Sequence, residues 1–314
     1  MLALEGWQQD LAEFFHTLEN KGGGMIPKHV SRWLIIFSLA FVAGCAFSWE
    51  SALNQAKDDI PTPDSDLKRV RADSLYNQVD DLSSLATAIE SYHAVLKTNP
   101  GDYPALVQLS NLHILMGTAY SRSRADKSLN FKKAMHYAEL AMYTNSLFRA
   151  RVRQGKRPWQ AANLLGKAET EAMFFWVTAL QYEFKESMNL AEKIRNVAWL
   201  GKGLIFLNRI EEVNPGFGGG AVEFAKFITY YVLPESKGGS KAKGVTYLQK
   251  AVARSQRRLM PRWGRAKYYY EMTGNAQAAR EDMQWVVSRE PQMVDDPYPW
   301  RVYFQNDAAA YLRR

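Results

Sequence analysis

From Leu67 to Arg314 apolar residues recur three and four positions apart, and strict alternation of β-branched with polar residues is almost absent. A period near 3.6 places those residues along one face of a helix, whereas strands need a period of two. The pattern predicts helices over 131–145, 168–185, 197–213, 222–232 and 245–256. Asn214-Pro215-Gly216 stops the third of these. Two glycine-rich segments, 216–220 and 236–240, punctuate the second half of the chain as loops, because glycine inside a helix costs backbone entropy. The resulting fold class is all-α, with about five helix pairs.

Two segments carry a repeat signature. Ala88, Tyr92, Val95 and Pro100 have the spacing of a tetratricopeptide second helix. Trp263, Ala266, Tyr270, Gly274, Ala279, Met283, Val286 and Pro291 fall in register with one complete unit. Small residues in this pattern let two helices approach, and the aromatic fills the groove beside them. The expectation is a set of tetratricopeptide-like helical hairpins over 67–314, stacked into a compact solenoid that is curved or closed on itself.

The amino terminus has a different grammar. Lys28 and Arg32 precede an uncharged run from Trp33 to Gly44, shorter than the about 20 residues a membrane-spanning helix needs. Positive charge, a short apolar centre and small residues make up a secretory signal. Val42-Ala43-Gly44-Cys45 looks like a bacterial lipobox, with Cys45 as the lipidated residue. Residues 25–44 then form the signal peptide and 45–66 a lipidated tether containing Pro61 and Pro63. Ala46 after the cysteine favours the outer membrane on the periplasmic side. Residues 1–24, with Glu5, Asp10, Glu13 and Glu19, fit no signal. They read either as an extension ahead of a start at Met25 or as an amphipathic arm with Leu11, Phe14, Phe15 and Leu18 on one side.

Composition narrows the chemistry. One cysteine rules out an internal disulfide or a cysteine-rich zinc site. His93, His113 and His136 fall on three different predicted helices without metal-ligand spacing, so no metal and no cofactor is expected. The glycine segments lack a following Lys-Ser or Lys-Thr, no Gly-x-Ser-x-Gly occurs, and the paired acids Glu211-Glu212 and Asp295-Asp296 read as solvated. The residues assemble no catalytic site, and the chain reads as a non-enzyme.

With 40 Lys plus Arg against 32 Asp plus Glu, the excess charge is modest, and an exported protein is not expected to bind nucleic acid. The basic residues cluster twice, at Arg149, Arg151, Arg153, Lys156 and Arg157, and at Arg254, Arg257, Arg258, Arg262 and Arg265. Each cluster reads either as a solvated face or as a surface docking an acidic partner or anionic lipid headgroups. Arg151, Arg153 and Arg157 are the candidates for partner docking. Consecutive rings such as Phe174-Phe175-Trp176 must point in different directions around a helix. They pack against neighbouring helices, or else Phe175, Trp176, Tyr230 and Tyr231 line an apolar cavity with Phe217 at its mouth.

The order of segments resembles a known family. Trp176 on a long apolar helix is followed by Asn214-Pro215-Gly216 and its glycine cluster. Tyr230-Tyr231 and Pro234, Gly238-Gly239, Lys241-Ala242, Leu248-Gln249-Lys250-Ala251 and Ala266-Lys267-Tyr268-Tyr269 come after it. This is similar to the T-component of tripartite ATP-independent periplasmic (TRAP) transporters. Ser240, where the family pattern carries an acid, and the lack of a histidine after Gly220 depart from it. The resemblance implies a helical, tetratricopeptide-like periplasmic lipoprotein that docks the transporter's substrate-binding protein. It also implies homo-oligomers and passage of a hydrophobic ligand through a pore or cleft. The rival reading is a generic tetratricopeptide scaffold lipoprotein for envelope protein assembly.

Overall fold

The computed structural model describes residues 50–314, and Cys45 with everything before it lies outside them. Among the described residues there is no strand. Thirteen α-helices follow one another: α1 Pro63–Tyr76, α2 Leu82–Thr98, α3 Tyr103–Leu115, α4 Arg124–Met142, α5 Ser146–Arg153, α6 Thr170–Tyr182, α7 Leu190–Asn196, α8 Ala198–Val213, α9 Ala221–Val232, α10 Lys241–Arg254, α11 Met260–Arg265, α12 Ala276–Val287 and α13 Tyr298–Leu312.

Local chemistry sets most of the starts. Thr62 and Asp81 each close a capping box with the serine three residues on. Asp102, Ser123, Asn145, Asn189, Ser240 and Asn275 accept a backbone N–H of the first turn that has no partner inside its helix. The glycine segment 216–220 starts α9. Gly216, Gly218, Gly219 and Gly220 all have positive φ. A Cβ at Gly220 would lie 2.4 Å from the Ala251 carbonyl oxygen, so its absence lets the start of α9 press onto α10.

Packing follows the hairpins. Helices α1 with α2, α3 with α4, and α9 with α10 pair closely, while α6 packs between α4 and α8. Of the repeat positions read from the sequence, Ala88, Tyr92, Val95, Ala266, Ala279, Met283 and Val286 are fully buried and Trp263 nearly so, whereas Tyr270 is half-buried and Pro100, Gly274 and Pro291 are exposed. The architecture is therefore an all-α stack of helical hairpins.

The final helix closes the stack. Trp300 of α13 packs against all three large apolar clusters, from the first hairpins to the last. Its Nε1 donates to Asn111 Oδ1 at 2.7 Å, and Asn111 Nδ2 donates to the Tyr76 hydroxyl at 2.9 Å. Seven residues further along α13, Asp307 accepts from Trp263 Nε1 at 2.7 Å. One helix thus ties α1 and α3 to α11.

The chain also docks earlier than its proline content suggests. Residues 51–62, assigned above to the tether, lie against the domain. Ala52 and Ala56 are buried, the Ala52 N–H donates to Glu139 Oε1 at 3.1 Å, and the Ile60 N–H donates to Asn99 Oδ1 at 3.0 Å.

Candidate functional site

Three helices end in a π-turn: Met116–Tyr120 after α3, Glu183–Ser187 after α6, and Ala266–Tyr270 after α11. A π-turn inserts one residue into the helical ladder, which re-aims the side chains after it and often marks functional positions. The second and third face each other. Lys185 Nζ sits 3.6 Å from the centroid of the Tyr268 ring. Around them, Tyr182 stacks on Phe131 at 5.6 Å, and Tyr268 contacts Trp263 edge to face at 5.6 Å.

Charges ring this spot in pairs. Lys127 holds Glu186 at 2.5 Å, and Lys267 holds Asp307 at 2.8 Å. Ser128 Oγ donates to Glu183 Oε1 at 2.8 Å, and Glu183 Oε2 is buried without a partner. Lys185 has no carboxylate within ion-pair distance among the described residues, and its close contact is the Tyr268 face. Burial pushes its ammonium down to about 7, opposed by Glu186 and reinforced by Lys267. Burial likewise raises the phenols of Tyr182, Tyr268 and Tyr303 and the carboxyl of Glu271. Yet Tyr182, Lys185, Tyr268 and Tyr303 each keep partial solvent exposure. Desolvation together with residual exposure describes a partly covered aromatic cluster with one cation in it.

The five rings singled out from the sequence do not meet. Trp176 is fully buried, packed edge to face on Phe206 at 5.1 Å. Phe175 and Phe217 are half-buried on either side of Phe174, which they contact at 5.8 and 5.7 Å. Tyr230 stacks on Tyr247 at 5.5 Å, and Tyr231 leans on Phe227 and Tyr269. No spacing rule marks the π-turns that assemble Lys185 with Tyr268. The one local signal is the charged Glu183, Lys185 and Glu186 at the end of an apolar helix.

The two basic clusters part company. In the second, Arg254 pairs with Glu223, Arg257 with Asp295, and Arg262 and Arg265 both with the buried Asp282. Those arginines hold elements together. In the first, Arg149 pairs with Asp58, whereas Arg151, Arg153, Lys156 and Arg157 are exposed.

The histidines form a third feature. Tyr137 is flanked by His93, His113 and His136 at 5.6 to 5.8 Å, next to an open recess of about 400 Å³ lined by Glu90, His93, Leu96 and Lys97. Burial holds the His113 imidazole down to about 4, hence neutral. Among the described residues no three His, Cys, Asp or Glu side chains converge to hold a metal ion.

Fold and site define a stack of helical hairpins with a cluster of rings that holds a partly buried ammonium, Lys185, against the Tyr268 face. A family model described as TRAP transporter T-component matches residues 118–298. The chain belongs to that family, and so to the accessory components of an envelope transport system. No curated protein sequence matches it. Among the described residues no helix is long and apolar enough to cross a membrane.

Proposed function

We propose that this chain is a lipid-anchored periplasmic accessory of a TRAP uptake system, fastened through Cys45 to the outer membrane. There it docks the substrate-binding protein and receives its ligand at the ring cluster between the two π-turns. The observation that carries this reading is Lys185, an ammonium without a carboxylate partner, set among Tyr182, Tyr268 and Tyr303. An unpaired, partly buried charge costs stability unless something compensates it. A ligand with a flat apolar body and an anionic group fits, the body stacking on the rings and the anion meeting Lys185. The anchor acts by effective concentration, holding a docked partner near the membrane without new contacts. The reading makes no use of catalysis.

Two measurements test the proposal. The full chain, immobilised, should capture the substrate-binding protein of the same cell from periplasmic extract and retain 2-naphthoate, whereas Lys185→Met should keep the capture and lose the naphthoate. If naphthoate binds neither protein, or both equally, the ring cluster is not the ligand site. Capture of envelope proteins other than a solute-binding protein would favour the assembly-scaffold reading instead.

A further inference from the structure

We infer that the outward face of α5 seats on the anionic surface of the membrane, so that the anchor both tethers the domain and fixes which side of it faces the bilayer. This rests on the proposed anchor at Cys45 and adds an orientation to it.

The first argument is length. The docked part of the chain begins at Ser51, whose Oγ hydrogen-bonds Glu139 at 3.2 Å and the Tyr143 hydroxyl at 3.0 Å. From Cys45 to Ser51 is a step of six residues in the sequence. Fully extended, each residue advances at most about 3.3–3.6 Å, so Ser51 lies within roughly 20 Å of an acylated Cys45. A tether this short lets few faces of the domain reach the headgroups.

The second argument is which face is nearest. The short turn Ala52–Gln55 packs on the end of α4 and on α5, which follows it. Asp58, six residues after Ala52, pairs with Arg149, and the charge of Arg153 also reaches it, holding its carboxyl below the usual range. The chain therefore enters the domain alongside α5.

The third argument is composition. Phe148 and Val152 turn inward, Arg149 is largely covered in its pair with Asp58, and Arg151 and Arg153 point away from the core. Residues 146–157 carry five basic side chains and no acid. Arg151, Arg153 and Lys156 are exposed, and Leu147, one turn before Arg151 on the same side, is 69% exposed. An apolar side chain among cations suits a lipid interface, where it enters the headgroup boundary while the cations meet phosphate. With the anchor position within roughly 20 Å of Ser51 and an apolar side chain among cations, lipid is the occupant the surface favours.

The test uses the full chain carrying Cys45→Ser, floated with vesicles of phosphatidylethanolamine and phosphatidylglycerol at 70:30, or of phosphatidylcholine alone. The apolar run 33–44 acts equally on every variant, so differences report α5. Charge-dependent binding to the anionic vesicles should weaken about a hundredfold in Arg151→Gln/Arg153→Gln/Lys156→Gln, at roughly fivefold per charge. It should be largely lost in 0.5 M salt. Leu147→Ser should weaken it as well, with the helical circular dichroism of all variants unchanged. Equal flotation of parent and triple variant overturns the inference. So does a triple variant that floats normally but no longer captures the substrate-binding protein, which assigns the face to a protein partner. Palmitate incorporation at Cys45 is scored separately in cells. Label without charge-dependent flotation overturns the membrane seat and leaves the anchor standing, while charge-dependent flotation without label supports the seat and removes the anchor.

Discussion

Replacing Trp300 by Phe probes the closure of the stack. The phenyl ring keeps most of the packing against the three clusters but cannot donate to Asn111. Asn111 is 3% exposed, so its Oδ1, now 2.7 Å from the indole nitrogen, loses a donor where water does not readily replace it. An orphaned buried acceptor of this kind costs about 1–3 kcal/mol, and we expect about 2 kcal/mol for Trp300→Phe. Trp300→Ala removes the packing too and should cost about 3–5 kcal/mol. Equilibrium urea unfolding followed by circular dichroism reads both. A cycle with Asn111→Ala should return a coupling of about 1 kcal/mol or more between residues 300 and 111. Hydrogen exchange supplies the local readout, since amides of α13 should lose protection in Trp300→Ala before those of α9 and α10 do. A Trp300→Phe protein within about 0.3 kcal/mol of the parent, with zero coupling, would refute the claim that α13 closes the stack through this bond.

Gly264→Ala places a methyl 2.3 Å from the Phe224 ring and should lower stability by about 1–3 kcal/mol, with Phe224→Leu recovering part of the loss in a thermal melt. Asp282→Ala strands two guanidiniums. Because Arg262 and Arg265 keep some water, the expected cost is about 2–3 kcal/mol, below the about 3–5 kcal/mol of a fully buried pair, and urea unfolding measures it. Lys185 holds its proton to pH about 7 in the folded chain and to about 10.5 in the unfolded one. The unfolded state therefore carries the extra proton between those values, and stability should climb as pH rises through that window. Glu186, Lys127, Lys267, Asp307, Glu271 and three tyrosines surround it, so the check is the difference in melting temperature between parent and Lys185→Met. Lys185→Met should be the more stable near pH 7, with the gap closing by pH 10, and parallel profiles would contradict the buried ammonium.

Much of this architecture is written locally. A helix is made of bonds between residues four apart, so its period, its Ser, Asp or Asn cap and its glycine stop all sit within one stretch of chain. That is why the helices read from the sequence recur with shifted ends, 245–256 becoming Lys241–Arg254, for example. It is also why Ala88, Tyr92 and Val95 could be recognised as core positions from their spacing alone.

The arrangement of faces is a different matter. Trp300 and Asn111 stand 189 positions apart, and nothing near either one announces the other. The basic run 254–265 looks like the run 149–157 in composition. Only the fold supplies Asp282, Asp295 and Glu223 to the former and leaves Arg151, Arg153 and Lys156 of the latter exposed. Likewise the π-turns depend on what each helix end must reach, and they bring Lys185 onto Tyr268 across 83 positions. Sequence by itself determined the helices, their punctuation and the family, because those depend on neighbours along the chain. Tertiary structure decided the closure, the contact of Lys185 with Tyr268 and the exposed basic face, because burial and charge pairing depend on neighbours in space.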